Sequence, residues 1–223
     1  KYNRTPIADG ASMAIHESQS RMWENLVGRS AAFWKRYYKD LQQIFPSQLG
    51  NVNGETFYKG INKVEPSLIR IEADEATYNL HIMLRLEMEI GLMEGTIKTK
   101  DAAEVWKEKF KAYLGIVPPN NKEGVLQDVH WSSGLFGYFP TYALGNLVSS
   151  QLWERMTMDN PNVESQIEKG DFTKLLGWYR EHIHQYGAKY EPQELVQKVT
   201  GEKINAAPFM RYLKSKFGAI YGL

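Results

Sequence analysis

Apolar residues recur along most of this chain every three or four positions, the period of a helix with one buried face. After Ser12, the residues Ile15, Met22, Leu26 and Phe33 gather on one side of such a helix. Glu17, Arg21, Glu24 and Gly28 fall within a sector of roughly 60° on the other side. Ser12 suits an N-cap and Pro46 a stop, so the pattern predicts a helix from Ser12 toward Phe45, with Gly28 as a point of bending. A turn at Asn51–Gly54 leads to a short helical segment from Thr56 to Val64. The strongest periodic stretch runs from Leu68 to Met93 and is closed by Gly95. Further helices are predicted over Asp101–Leu114, Thr141–Met156, Val163–Lys169, Phe172–Tyr186, Pro192–Thr200 and Ala207–Phe217. Gly124–Pro140 is glycine-punctuated and aromatic and is read as irregular. Alternation with period two is scarce, so the fold class is all-α, and without repeat or linker, residues 1–223 are counted as a single subdomain.

Composition narrows the function classes. The chain has 223 residues, 43% hydrophobic and 24% charged, as expected of a globular protein with a real core. A net charge of +1 leaves no basic footprint for nucleic acid. No apolar run is long enough to cross a membrane as a helix. Cysteine is absent, which excludes thiolate chemistry and suits a reducing, cytoplasmic setting. The aromatic supply is generous, with 6 Trp, 13 Tyr and 9 Phe for packing or for lining a cleft.

Three stretches carry candidate chemistry. His16-Glu17 with Arg21 one turn later could hold a metal or serve as an acid/base, or be a solvated face with ordinary charge pairing. On a continuous Leu68–Met93 helix, Arg70, Asp74, Thr77 and His81 form a polar stripe on an otherwise apolar surface. An arginine there can fork a carboxylate, either Asp74 in an internal ion pair or a ligand in a cleft. Gly124–Trp131 brings Gln127, Asp128 and His130 together, and such a His can polarise a carbonyl or lie buried against Asp128. The phenols of Tyr138 and Tyr142 follow closely. His182 and His184 point apart on a helix with no acid nearby and are read as surface or core residues. With no H-E-x-x-H, no phosphate loop and no G-x-S-x-G, the chain by itself offers at most one of the three ligands of a catalytic zinc.

Taken together, these stretches resemble the Taq-type zinc metallocarboxypeptidases, peptidase family M32. His16-Glu17-Ser18-Gln19 matches the family's HES(Q) element. Ile69 to Asp74 matches I/V-R-x-x-A-D, and Gly124 to Trp131, GVLQDVHW, matches G-x-x-Q-D-x-H-W in full. The likeness covers nearly the whole chain but corresponds to the C-terminal part of a full-length member. The H-P-F, D-x-R-x-T and H-E-x-x-H elements are missing. Together with a start at Lys1 rather than Met, this leads us to expect a piece of a longer chain whose N-terminal half is a necessary partner.

The resemblance implies a helical zinc-peptidase fold with a deep cleft. It makes Glu17 the third zinc ligand, with cobalt as an alternative metal, and gives Arg70 the peptide's free C-terminal carboxylate. His130 then binds or polarises the scissile carbonyl, and Asp74, Gln127 and Asp128 belong to the substrate pocket. A looser likeness to angiotensin-converting enzyme makes Tyr142 an oxyanion donor and Tyr138 a substrate contact. The family further implies a homodimer. The implied function is release of C-terminal amino acids from peptides, with this portion inactive alone. The alternative is a non-catalytic helical module that binds a peptide or partner helix in its aromatic cleft.

Overall fold

The computed structural model describes residues 2–223, and among them the regular elements are all helical. They are α1 (Met13–Arg21), α2 (Ala31–Ile44), α3 (Pro46–Leu49), α4 (Gly54–Ile61), α5 (Tyr78–Met93) and α6 (Ala102–Leu114). After a long loop come α7 (Pro140–Asp159), α8 (Val163–Glu168), α9 (Thr173–His182), α10 (Pro192–Thr200) and α11 (Ala207–Tyr221). No helix among the described residues is long and apolar enough to cross a membrane. The chain divides into two compact units, one formed by the residues up to Asn62 with Leu144–Leu223, the other by Lys63–Ala143.

In the first unit Ser12 caps α1, its hydroxyl accepting from the Ile15 amide at 3.2 Å. The single helix expected from Ser12 to Phe45 is interrupted. Beyond Arg21 the chain loosens into a π-helical turn over Met22–Val27, and the Gly28 amide reaches back five residues to the Trp23 carbonyl at 2.8 Å. Ser30 then turns extended and caps α2 through the Phe33 amide at 3.1 Å. Ile15, Met22, Leu26, Val148, Leu152 and Leu195 are buried in this unit's core. Side chains of this kind each contribute roughly 1.5–3 kcal/mol when fully removed from water.

In the second unit Leu84 and Met88 of α5 pack on Trp106, Phe110 and Leu114 of α6, and Gly115 ends α6 in the left-handed conformation. The continuous helix expected over Leu68–Met93 does not form. Residues 63–69 form no helix, Arg70–Glu72 make one 3-10 turn, and α5 begins only at Tyr78. The backbone here has other partners. The Arg70 N–H donates to the Gln127 amide oxygen at 2.9 Å, and Gln127 Nε2 donates to the Leu68 carbonyl at 3.0 Å. Asp74 Oδ1 accepts from the Ala76 and Thr77 amides at 2.8 and 3.0 Å, a local alternative to the helical ladder. Ile71, an apolar residue within that expected helix, is consequently 75% exposed.

Candidate active site

The loop between α6 and α7 is held by its own polar residues. Gln127 ties it to residues 68–70 and, through Nε2, to the Glu123 carbonyl at 3.0 Å. Its neighbour Asp128 thereby comes to lie between two arginines. Arg70 sets Nε and Nη2 on Oδ1 at 3.1 and 2.7 Å, while Nη1 donates to the Tyr78 hydroxyl at 2.8 Å. Arg85 of α5 sets Nε and Nη2 on Oδ2 at 2.7 and 2.6 Å, while Nη1 donates to the His81 carbonyl at 2.8 Å. Arg70 is 5% exposed and Arg85 0%, so one carboxylate answers two buried guanidinium groups and the cluster carries a net positive charge.

Aromatic faces complete the enclosure. The Arg70 guanidinium carbon lies 4.9 Å from the Tyr142 ring centroid, and that of Arg85 lies 4.8 Å from Trp106, distances at which a cation is attracted to the ring. Burial by itself pushes the Asp128 carboxyl up, but the Arg85 charge and the Arg70 hydrogen bonds hold it below the usual carboxylate range. Burial works against the Arg70 cation as well, and its hydrogen bonds to Asp128 with the nearby Tyr78 more than compensate. Arg85 is pulled down to about 10, chiefly by burial, and stays charged at neutral pH.

His130 sits half-buried beside this cluster. Its Nε2 is 3.0 Å from the Tyr142 hydroxyl, and its ring lies 4.3 Å from Phe139 and 5.6 Å from Tyr138. Nδ1 is 4.0 Å from Asp128 Oδ1, too long for the His–Asp hydrogen bond that the sequence left open. Burial first and the Arg70 charge second lower its pKa, so the imidazole is neutral at pH 7. Next to it, the Trp131 indole N–H donates to Glu89 Oε1 at 2.9 Å.

His81 does not join Arg70 on one helical stripe. It is 0% exposed with its ring edge-on to Phe110, and neither ring nitrogen has a hydrogen-bond partner among the described residues. Burial, with Arg85 and Arg70 adding to it, lowers its pKa from 6.5 to about 3. The unfolded chain therefore takes up a proton below pH 6.5 that the folded chain refuses until about pH 3. Stability is complete above that range and falls as pH is lowered through it, by up to about 1.4 kcal/mol per pH unit from this group. Urea unfolding at pH 7 and pH 5 should show the decline, and His81→Leu should flatten it. An identical slope in the variant would show that His81 is not the group responsible.

Glu17 lies in the first unit, half-buried on α1, and its carboxylate makes no hydrogen bond or ion pair among the described residues. It is therefore available to a ligand. Gly145 of α7 brings the two helices close, since a Cβ there would stand 2.8 Å from Glu17 Cβ and 3.1 Å from the Glu17 carbonyl carbon. Gly145→Ala should force α1 and α7 apart and cost roughly 1–3 kcal/mol, read as a lower urea midpoint. An unchanged midpoint would mean that the contact is loose.

Among the described residues no cluster of three His, Cys, Asp or Glu side chains is placed to hold a metal. His182 stacks on Trp178 at 4.4 Å, and His184 Nε2 is 3.1 Å from the Gln19 amide oxygen. Of the residues singled out in the sequence, Arg70, Gln127, Asp128, His130, Tyr138 and Tyr142 come together in the second unit. Asp74 is differently engaged. Besides the two amides, its Oδ2 accepts from Thr77 Oγ1 at 2.8 Å and from the Glu65 amide at 3.1 Å, so it holds the turn into α5 instead of pairing with Arg70. Sequence reasoning missed Arg85, Tyr78 and Gly145. The signal for Arg85 was present, since His81, Arg85 and Glu89 recur every four residues along a strongly apolar helix.

The all-helical fold is that of carboxypeptidases of known structure. An M32 carboxypeptidase from Deinococcus radiodurans superposes with a TM-score of 0.94 at 42% identity, covering 98% of this chain and 44% of that one. Pyrococcus furiosus carboxypeptidase, in a structure described as Apo-Mg, gives 0.92 at 44% identity, over 96% and 43% of the two chains. The chain belongs to the Carboxypeptidase Taq (M32) metallopeptidase family, whose model matches residues 1–217. Thermostable carboxypeptidase 1 of Thermus thermophilus is 49% identical over 218 residues, 98% of this chain and 42% of the relative. Carboxypeptidase 1 of Bacillus subtilis is 42% identical over 217 residues, 97% of this chain and 43% of the relative. The chain thus spans less than half the length of these relatives.

Proposed function

We propose that the complete protein is a zinc-dependent metallocarboxypeptidase that releases C-terminal amino acids from peptides. The observation that carries this reading is the buried Arg70–Asp128–Arg85 cluster, whose surplus positive charge suits a peptide's free carboxylate. Arg70 has N–H groups left over from Asp128 and Tyr78 with which to bind it. An internal peptide offers no such anion, which restricts cleavage to the chain end. His130 acts on the scissile carbonyl through Tyr142. Tyr142 donates to the oxygen as it becomes anionic, and His130 Nε2–H can replenish that hydrogen bond from 3.0 Å. Tyr138 flanks the bound residue, Gln127 holds the backbone on which Arg70 stands, and Asp74 holds the turn that follows it.

Glu17 supplies one carboxylate ligand, chemistry that fits a divalent metal such as zinc or cobalt, and the remaining ligands come from outside these residues. When bound, such a metal provides Lewis-acid polarisation and a water of lowered pKa. A homodimer and a cytoplasmic setting accompany this reading, the latter favoured by a chain without cysteine. The full-length protein should cleave peptides with a free C-terminus, lose that activity to a chelator and regain it with zinc, while the 223 residues alone remain inactive. Glu17→Ala should lower bound metal from about one per chain to a small fraction. Unchanged metal content in that variant would remove Glu17 from the ligand set.

A further inference from the structure

We propose that Arg85 is a positioning residue for carboxylate recognition: by occupying one oxygen of Asp128 it leaves Arg70 only partly neutralised and fixed in plane, ready for a peptide's terminal carboxylate. The inference rests on the reading of Arg70 given above and explains how that arginine keeps its affinity for an anion.

A guanidinium and a carboxylate left to themselves form a fork, two parallel hydrogen bonds to the two oxygens, and neutralise one another. That arrangement is prevented here. Arg70 donates from both Nε and Nη2 to Oδ1, whereas Arg85 donates from Nε to Oδ2 and sets Nη2 against the same oxygen as an ion pair. The single negative charge of Asp128 is divided between two cations. Arg85 cannot itself meet a substrate. It is 0% exposed, its Nη1 is committed to the His81 carbonyl, and its guanidinium lies against Trp106 and Phe139 at 4.8 and 5.2 Å. Any influence on the substrate passes through Asp128 to Arg70. Glu89, one turn further along α5, holds Trp131, three residues beyond Asp128 in the same loop. If Arg85 is removed, Asp128 is free to turn both oxygens to Arg70, quenching its charge and rotating its plane.

The test uses the full-length enzyme, comparing wild type, Arg85→Gln, Arg85→Lys and Arg70→Ala. The substrate is a peptide with a free C-terminus, and the amide of the same peptide serves as a competitive inhibitor lacking the carboxylate. Arg85→Gln should raise KM for the free acid about 10-fold with kcat within about 3-fold, leaving the inhibition constant of the amide unchanged. Arg85→Lys, which keeps the charge and loses the planar guanidinium, should recover most of the effect, leaving KM about 3-fold above wild type. A residue needed only for folding would weaken acid and amide alike and lower kcat with them. If Arg85→Gln does not fold, Arg85→Lys is read in its place. An acid-to-amide preference equal to wild type in whichever variant folds, or a shift shared equally by both ligands, overturns the proposal. Arg70→Ala separates the two ideas. If that variant loses the preference and the Arg85 variants keep it, only the role of Arg85 falls. If Arg70→Ala keeps the preference, the carboxylate reading of Arg70 fails as well.

Discussion

Arg70→Ala in the full-length protein should lower kcat/KM for a free-acid peptide by roughly 30- to 5000-fold, without loss of metal. The range corresponds to about 2–5 kcal/mol for removing one partner of a desolvated charge pair. The fold should survive the change. With Arg70 gone, Asp128 keeps Arg85 at 2.6–2.7 Å, a one-to-one pair with no surplus charge left in the interior. Tyr78 loses one hydrogen-bond partner, and Gln127 still holds the backbone N–H at position 70, which the substitution does not touch. The diagnostic combination is therefore collapsed hydrolysis with wild-type metal content and a nearly wild-type urea midpoint. Normal hydrolysis of free-acid peptides by this variant would take Arg70 out of the substrate site.

Asp128→Ala should behave in the opposite way, failing first as a folded structure. It leaves two guanidinium groups, 5% and 0% exposed, facing one another without an anion. Breaking a buried pair by removing one partner costs about 3–5 kcal/mol, and repulsion between the two cations adds to it. Against the roughly 5–15 kcal/mol available to a typical domain, that is a large fraction. Adding Arg85→Met to Asp128→Ala should recover part of the loss, because it removes one of the unpaired charges and fills the space with an apolar chain. Urea unfolding of the single and double variants gives the coupling directly. If the two substitutions destabilise additively, the cluster is not the charge network described here.

Much of the fold was legible because amphipathic periodicity and caps are local signals. Ser12 at the start of α1, the end of α6 at Leu114 and the irregular run through Gly124–Pro140 all needed only neighbouring residues to be recognised. The break at Gly28–Ser30 was half visible: Gly28 marked a bend, but the fresh cap at Ser30 was not foreseen. The stretch after Pro66 misled for a physical reason. Its apolar residues have helical spacing, yet Gln127 and Asp74 satisfy the backbone groups that a helix would have used. A partner nearly sixty residues away leaves no trace in local periodicity.

The candidate site divides in the same manner. Sequence alone picked out Glu17, Arg70, Gln127, Asp128, His130, Tyr138 and Tyr142, because their residue types in those motifs carry recognisable chemistry. Sequence alone also determined the helical class, the absence of thiol chemistry and the lack of a nucleic-acid footprint. Only the tertiary structure decided which partner Arg70 takes. It gave Arg70 to Asp128, assigned Asp74 to the turn into α5, and brought in Arg85 as the second cation on the same carboxylate. Pairing of buried charges is settled by which groups share a water-free space, where an unpaired ion costs several kcal/mol. That space is created by packing α5, α6 and the loop before α7 together, and no single stretch of sequence contains it.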